Sequence, residues 1–430
     1  MASVYDPVTV HNGRMSSIAG ENWARNYSYT ARDLARPGSV AEVQRIVAAS
    51  RSVRALGSRH SFNDLADTAG TLVSLENLDV ETVVDEASAT VTVAGGARYG
   101  DVATTLQAAG WALHNLASLP HISVAGAVAT GTHGSGDGNG TLASAVAAVE
   151  LVTADGELHT LRRGEPDFDG AVVSLGALGI VTRVTLDIEP TFDVRQDLYD
   201  GLPWSAVLGD LETVTSSAYS VSLFTDWLGD TIGTTWIKSR ADAAAPPESI
   251  LGAVRQATGR HMLPDQPVTN VTEQGGVVGP WNDRLAHFKL GFTPSNGDEL
   301  QSEYLVPRRN AVAALEAVRS LGSRIAPLLY ITEVRTMRAD SLWLSGAFET
   351  DAVGIHFTWK PLEAEVRALL PEIEALLLPL GARPHWGKVF TAERDALAVL
   401  YPRLGGFVEL AARLDPERKF GNAFLERTVY

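Results

Sequence analysis

Two groups of residues in this 430-residue chain could do chemistry, and they differ in character. The first is polar. Glu333 and Arg335, His356 and Thr358, and Gln301 and Glu303 each stand two apart in an extended-looking segment, and Lys388 closes the run His385-Trp386-Gly387-Lys388. A spacing of two puts both members of a pair on one face of a strand. On that basis Leu329, Ile331, Glu333 and Arg335 share a face, and Ile355, Phe357 and Trp359 take the face opposite His356 and Thr358. Taken alone, each polar face is most simply the solvated side of an antiparallel sheet. Brought together, a carboxylate, a guanidinium, an ammonium, a hydroxyl and an amide would supply both donors and acceptors. A neutral polyhydroxyl ligand needs that mixture.

The second group is nearly featureless. Between Gly126 and Gly140 stand six glycines, two alanines and no Lys or Arg. Small side chains let the backbone approach a ligand, and successive N–H groups can cradle an anion, so a diphosphate could be held without basic residues. On composition alone the plainer reading is a loop built for turns and tight packing. A G-x-G-x-x-G fingerprint opening a helix is not convincingly present. Gly381 to Lys388 fails as a P-loop: its spacing is wrong, and Val389 replaces the required Ser or Thr.

The elements that must position these groups follow from capping and periodicity. Ser39 and Glu42 read as a capping box ahead of apolar Val40, Val43, Ile46 and Val47. A strand at Val53 to Leu56 ends at Gly57, and strands are expected near residue 73 and up to Gly96. A helix over Asp101 to Ala109 stops at Gly110. A hairpin turns at Ala154-Asp155-Gly156 and is followed by the strand GIVTRVTLDIEP. After Pro190 the pattern loses regularity. From 299 it reads strand, helix (Asn310 to Leu321, closed by Gly322), strand (Leu328 to Met337), strand (Gly354 to Trp359), helix (Leu362 to Leu380, interrupted at Pro371) and strand (His385 to Phe390). That β-α-β-β-α-β order suggests a sheet with helices on one face. The expected division is 1–190, then 191–390, with 391–430 returning to the first part. The fold class is α+β.

Composition narrows the function. The net charge of −16 and the lack of a basic stripe disfavour nucleic acid and phosphorylated substrates. With no cysteine, disulfides, thiol nucleophiles and cysteine-based metal sites are excluded. No apolar run is long enough to span a membrane, and MASVYDPVTV at the start lacks the pattern of a secretory leader, so a cytoplasmic protein is expected.

The segments SRHSFND (58–64), ASLPHISVAGAVATGTHGSG (117–136) and HWGK (385–388) resemble the alditol oxidases, which are FAD enzymes of the vanillyl-alcohol oxidase type. SLFTDW (222–227), TEQ (272–274), GPW (279–281), ELQSEYL (299–305), HFTW (356–359), LYPRL (400–404) and KFGNAF (419–424) extend the resemblance over essentially the whole chain. It implies a two-part FAD-binding domain and a cap domain, a monomer, and FAD attached covalently through His60. The FAD would lie against Ala55, Leu56, Gly57, Ser58, Arg59, Ser61, Ser118, Ser123, Gly126, Ala127, Val128, Ala129, Ile180, Val181 and His385. Substrate would meet Ser118, Gln301, Glu333, Arg335, Thr358 and Lys388, with Glu333, Arg335 and Lys388 catalytic. No metal is implied. Arg59, beside the linking histidine, is a larger residue than some relatives carry there.

The reaction implied is hydride transfer from the terminal carbinol of a polyol such as xylitol or sorbitol to flavin N5, with O2 reduced to hydrogen peroxide. Lys388 is expected to accept the hydroxyl proton if neighbouring Arg335 depresses its pKa. The nearest rival is an aldonolactone oxidase or dehydrogenase of the same superfamily. A non-enzymatic carbohydrate binder, using the nine tryptophans as platforms, is a different class of reading.

Overall fold

Alternation is clearest in the strand Ile180–Asp187, where buried and half-buried residues follow each other without a break. In the computed structural model, which describes residues 18–263, 266–292 and 299–430, this strand is central to a five-stranded antiparallel sheet. Its spatial order is Val83–Asp85, Thr90–Ala94, Ile180–Asp187, Val146–Val152, Leu158–Arg162. Residues 1–10, read above as lacking a leader, lie outside the described residues.

A small parallel sheet stands beside it, with Thr71–Ser74 between Asp33–Ala35 and Val53–Leu56. The helix Val40–Ala49 carries the chain between its outer strands and buries Val43 and Val47. Its cap is a one-residue variant of the expected box. Ser39 Oγ accepts from the Glu42 amide at 3.3 Å, but the Glu42 carboxylate reaches back to the Gly38 amide at 2.8 Å.

The third and largest sheet runs Ser249–Ile250, Ala253–Gln256, Asp193–Asp200, Thr234–Arg240, Ser220–Thr225, Leu329–Met337, Ala352–Trp359, Leu300–Pro307, Arg383–Pro384. The segment after Pro190, irregular in sequence, therefore supplies half of this sheet. Ser220–Thr225 is buried at every position, so no polar face marks it as a strand. The helices Ala311–Ser320 and Glu363–Leu377 cover one face, packing Leu315, Val318, Leu370 and Ile373 against Tyr304, Ile355 and Phe357.

Four local expectations change. Gly322 does not end the helical run, because Gly322–Ile325 forms a further turn. Pro371 sits inside a continuous 15-residue helix, whose buried stripe compensates the lost N–H bond. The last strand is Arg383–Pro384, and HWGK turns away from the sheet. Leu329 and Ile331 do not share a face: the register shifts between them, so Leu329 pairs with Trp359 and Ile331 with Thr358.

The C-terminal helices Arg394–Leu400, Leu404–Leu414 and Ala423–Thr428 join the core beneath the five-stranded sheet through Leu397, Phe407, Leu410 and Phe424. Just before the last of them, the Lys419 ammonium donates to the carbonyls of Val47 (2.9 Å) and Ala154 (2.6 Å). The Asn422 amide donates to those of Asp64, Leu65 and Asp67 at 2.9–3.1 Å.

Candidate active site

The strand Val53–Leu56 delivers the chain to Gly57, where a side chain would displace Ser123: a Cβ there would lie 2.6 Å from Ser123 Oγ. Ser58 and Ser123 exchange amide-to-hydroxyl bonds at 3.3 Å each way, clamping the 57–61 loop to the start of the helix Val124–Ala129. Gly95 and Gly96 are held as tightly, with a Cβ at either falling 2.1 Å from a backbone carbonyl. Together these small residues leave one wall of a long cavity made of backbone.

The same loop is tied to HWGK. The Phe62 amide donates to the Gly387 carbonyl (2.8 Å), and the Asn63 side chain donates to the carbonyls of Trp386 (2.9 Å) and Lys388 (2.8 Å). HWGK is in turn held to the large sheet by His385 N to Glu303 O (2.9 Å) and Val389 N to Gln301 O (2.8 Å). Two motifs more than 300 residues apart thus form one rigid corner.

His60 occupies that corner. Its ring lies 4.4 Å from the Trp23 ring, centroid to centroid, and its Nε2 is inaccessible to water and bonded to nothing. Burial, then the charge of Lys388, pulls its pKa down to about 3, so the imidazole is neutral. Arg59 has a left-handed backbone (φ 62°), and its guanidinium turns to the Ala19 carbonyl.

The opposite end of the cavity is polar. Antiparallel register places Glu303, His356 and Glu333 in one row and Gln301, Thr358 and Ile331 in the next. The solvated face expected of a single strand is therefore a buried floor: Glu303 is 2% exposed, and Glu333 and Arg335 6% each. Arg335 joins the two carboxylates, with Nη2 2.8 Å from Glu303 and Nε 3.7 Å from Glu333. Its Nη1 also reaches Ser118 Oγ at 3.4 Å. His287 donates to Glu333 at 2.7 Å, whereas His133 Nε2 and His356 Nδ1 approach Glu303 at 3.1 and 3.4 Å without hydrogen-bond geometry.

These contacts set the protonation states. Burial alone would raise the Glu333 pKa, but Arg335 and then His287 outweigh it and hold the carboxyl far below its usual range. Glu303 is depressed likewise, by His133, Arg335 and His356 against burial. Burial opposes the charge on Arg335, and Glu333 and Glu303 more than restore it. Lys388 donates to Gln301 Oε1 and is lowered to about 8. The leading cause is burial rather than Arg335, whose effect ranks behind an opposing one from Glu303.

The two ends are continuous. A cavity of about 530 Å3 is lined by Ala55, Leu56, Gly57, Ser58, Arg59, His60, Ser61, Ser118, Ser123, Gly126, Ala127, Ala129, Val181 and His385, and also by Gln301, Glu333, Arg335, Thr358 and Lys388. Val128 and Ile180 fall outside this lining, because their side chains are packed in the cores on either side of the loop. Glu303, placed by its spacing on the polar face with Gln301 but given no role there, belongs to the site, and so do two histidines that the sequence does not mark. His133 lies within the glycine-rich segment, where the glycines drew attention from it. His287 comes from a stretch with no periodicity at all.

An inaccessible imidazole nitrogen without a partner, beside a cavity lined by Gly57, Gly95, Gly96 and Gly126, fits a flat, extended group such as FAD. Residues 32–162 match the family described as FAD binding domain, and residues 296–428 that described as D-arabinono-1,4-lactone oxidase. The cholesterol oxidase structure from B. sterolicum superposes with a TM-score of 0.78 at 15% identity, covering 99% of this chain and 100% of that one, which establishes the shared fold. Fold and site together define an FAD-dependent oxidoreductase of the vanillyl-alcohol oxidase type.

An alditol oxidase from Streptomyces sp. is 48% identical over 95% of this chain and 98% of its own length. The L-gulono-1,4-lactone dehydrogenase of Mycobacterium tuberculosis is 30% identical over the same shares. The L-gulonolactone oxidase of Bos taurus is 27% identical over equal coverage. The chain belongs to the alditol oxidase family. Among the described residues no helix is long and apolar enough to cross a membrane.

Proposed function

We propose that this protein oxidises the terminal hydroxyl of an alditol, with xylitol and sorbitol as substrates, to the aldose. The observation that carries this reading is the buried mixed-charge floor of Glu333, Arg335, Thr358 and Lys388, continuous with a backbone-walled arm that ends at His60. FAD in the arm beside His60 would supply the hydride acceptor for the carbinol carbon and the route for electrons to O2, with hydrogen peroxide as the second product. Residues 1–190 with 391–430 hold the FAD, and 191–390 supply the substrate floor.

The chain's own groups do the remaining work. Lys388, lowered to about 8, takes the proton from the terminal hydroxyl. Arg335, kept cationic by two carboxylates, faces the negative charge that develops on that oxygen. Glu333, kept anionic, accepts from the next hydroxyls along the chain. Thr358, Ser118 and Gln301 orient the rest. The closed floor excludes water, so these charges act at full strength.

Anaerobic addition of xylitol should bleach the visible flavin spectrum, and xylitol or sorbitol in air should yield peroxide. The similarity to lactone-oxidising relatives makes a 1,4-lactone the informative control. Bleaching by gulonolactone, with none by either polyol, would move the assignment to lactone oxidation.

His60 is the proposed attachment point, because its Nε2 is buried, neutral and without a partner. Acid precipitation should leave the flavin with the wild-type protein and release it from His60→Ala. Yellow supernatant from the wild type would show that the bond does not exist.

A further inference from the structure

Behind Glu333, away from the cavity, lies a cation that the proposed reaction does not use. Lys238, 1% exposed on the strand Thr234–Arg240, shares the sheet face of Glu333 through the cross-strand pairs Glu333 with Phe224 and Phe224 with Thr234. Its Nζ lies 2.6 Å from the Leu285 carbonyl, 2.8 Å from that of Ala286 and 3.3 Å from His287 Nδ1. Three acceptors around one nitrogen require three N–H bonds. An ammonium has them, whereas a neutral amine has two.

The imidazole of His287 fills a box formed by Trp236 (centroids 5.2 Å, edge-on), Phe224 (5.8 Å), Lys238 and Glu333. Its Nε2 sits 2.7 Å from Glu333 Oε1. The carboxylate can only accept, so that nitrogen must carry a proton. The backbone of His287 serves the same site from another side, since its amide and that of Phe288 donate to the Ser118 carbonyl at 3.1 and 3.2 Å. One residue therefore orients two of the proposed substrate-binding groups. Burial pulls Lys238 down to about 7, with Glu333 opposing and Arg284 reinforcing the shift, but the triple-acceptor geometry selects the charged form.

We propose that Lys238 is a positioning residue for polyol oxidation: its bond to His287 Nδ1 fixes the imidazole as the Nε2–H tautomer, which holds Glu333 aimed at the substrate hydroxyls. The inference rests on the reading of Glu333 as a hydroxyl acceptor. It adds a buried Lys–His–Glu line in which the ordering of one bond sets the direction of the next.

Nitrogen-15 NMR of ring-labelled holoprotein tests it directly, with the His287 signals assigned by their loss in His287→Gln. The wild type should show Nε2 protonated and Nδ1 bare. A protonated Nδ1 in the wild type overturns the proposal with no need for a stable variant. In Lys238→Met, Nδ1 should gain a proton, and half-saturating xylitol in anaerobic flavin reduction should rise at least about tenfold while flavin stays bound. Lys238→Met combined with Glu333→Gln should be no worse than Glu333→Gln alone, since both break one line. Additive losses, or an unchanged tautomer in Lys238→Met, would refute the positioning role. If wild type fails to bleach with any polyol, the substrate assignment falls, while the NMR result still decides whether Lys238 sets the imidazole.

Discussion

Lys388→Met slows anaerobic flavin reduction by xylitol by at least about 100-fold, the loss typical when a positioned general base is removed. The Lys388 side chain lies in the substrate floor, bonded to Gln301 and 4.9 Å from the Phe62 ring centroid, so methionine fills its space without opening a void. The pH dependence gives a second test with a definite sign. Lys388 must be neutral to take a proton, and its pKa is about 8. Wild-type reduction should therefore climb by about tenfold per pH unit from pH 6 and flatten above 8. Of the other groups facing it, Glu303 and Glu333 are held ionised and Arg335 cationic, so they do not supply this limb. Burial raises the Glu299 carboxyl, and Glu299→Gln, which should keep the limb, is the control. Lys388→Arg, cationic throughout, loses the rising limb. A flat wild-type profile from pH 6 to 9 removes Lys388 from the proton transfer. Stopped-flow absorbance of the flavin measures all of these.

Arg335→Met has the larger structural effect. Among the described residues the guanidinium is the one Lys or Arg cation within 4 Å of both Glu303 and Glu333, and all three groups are nearly inaccessible to water. Removing one partner from a buried charge cluster costs about 3–5 kcal/mol, because the remaining charges stay desolvated without compensation. Urea unfolding should show a loss of that size, and polyol oxidation should fall below detection. Glu303→Gln added to Arg335→Met should recover part of the stability by removing one stranded charge, yet restore no activity. If Arg335→Met unfolds at the wild-type urea concentration, the guanidinium is not what keeps the floor folded. If the double variant regains turnover, its catalytic role is wrong.

The legibility of this architecture depended on where periodicity survives burial. Ile180–Asp187 alternates because one side meets a core and the other is half-wet, and a reader of sequence finds it at once. Ser220–Thr225 is enclosed on both faces, loses its pattern and passes for irregular chain. The substrate floor could be assembled from residues two apart, since strand geometry is strictly periodic, but a single register shift between Leu329 and Ile331 reversed the facing of Leu329. His385 to Lys388 read as strand and proved to be a turn, because its conformation is dictated by Asn63 and Phe62, which are remote in sequence. His287 and Lys238 left no trace in local pattern. Their role arises only from the approach of the 281–288 segment to the sheet, which no short-range rule encodes.

The knitting of Lys419 and Asn422 into loops near residues 47, 64 and 154 has a consequence for the order of folding. Contacts spanning more than 250 residues close late, because the chain entropy lost in such loops is repaid only when both ends are present. The Phe420 carbonyl also anchors Arg54, in the strand that leads to the His60 corner. The strand that leads to the His60 corner is therefore fully secured only when residues 419–422 have docked.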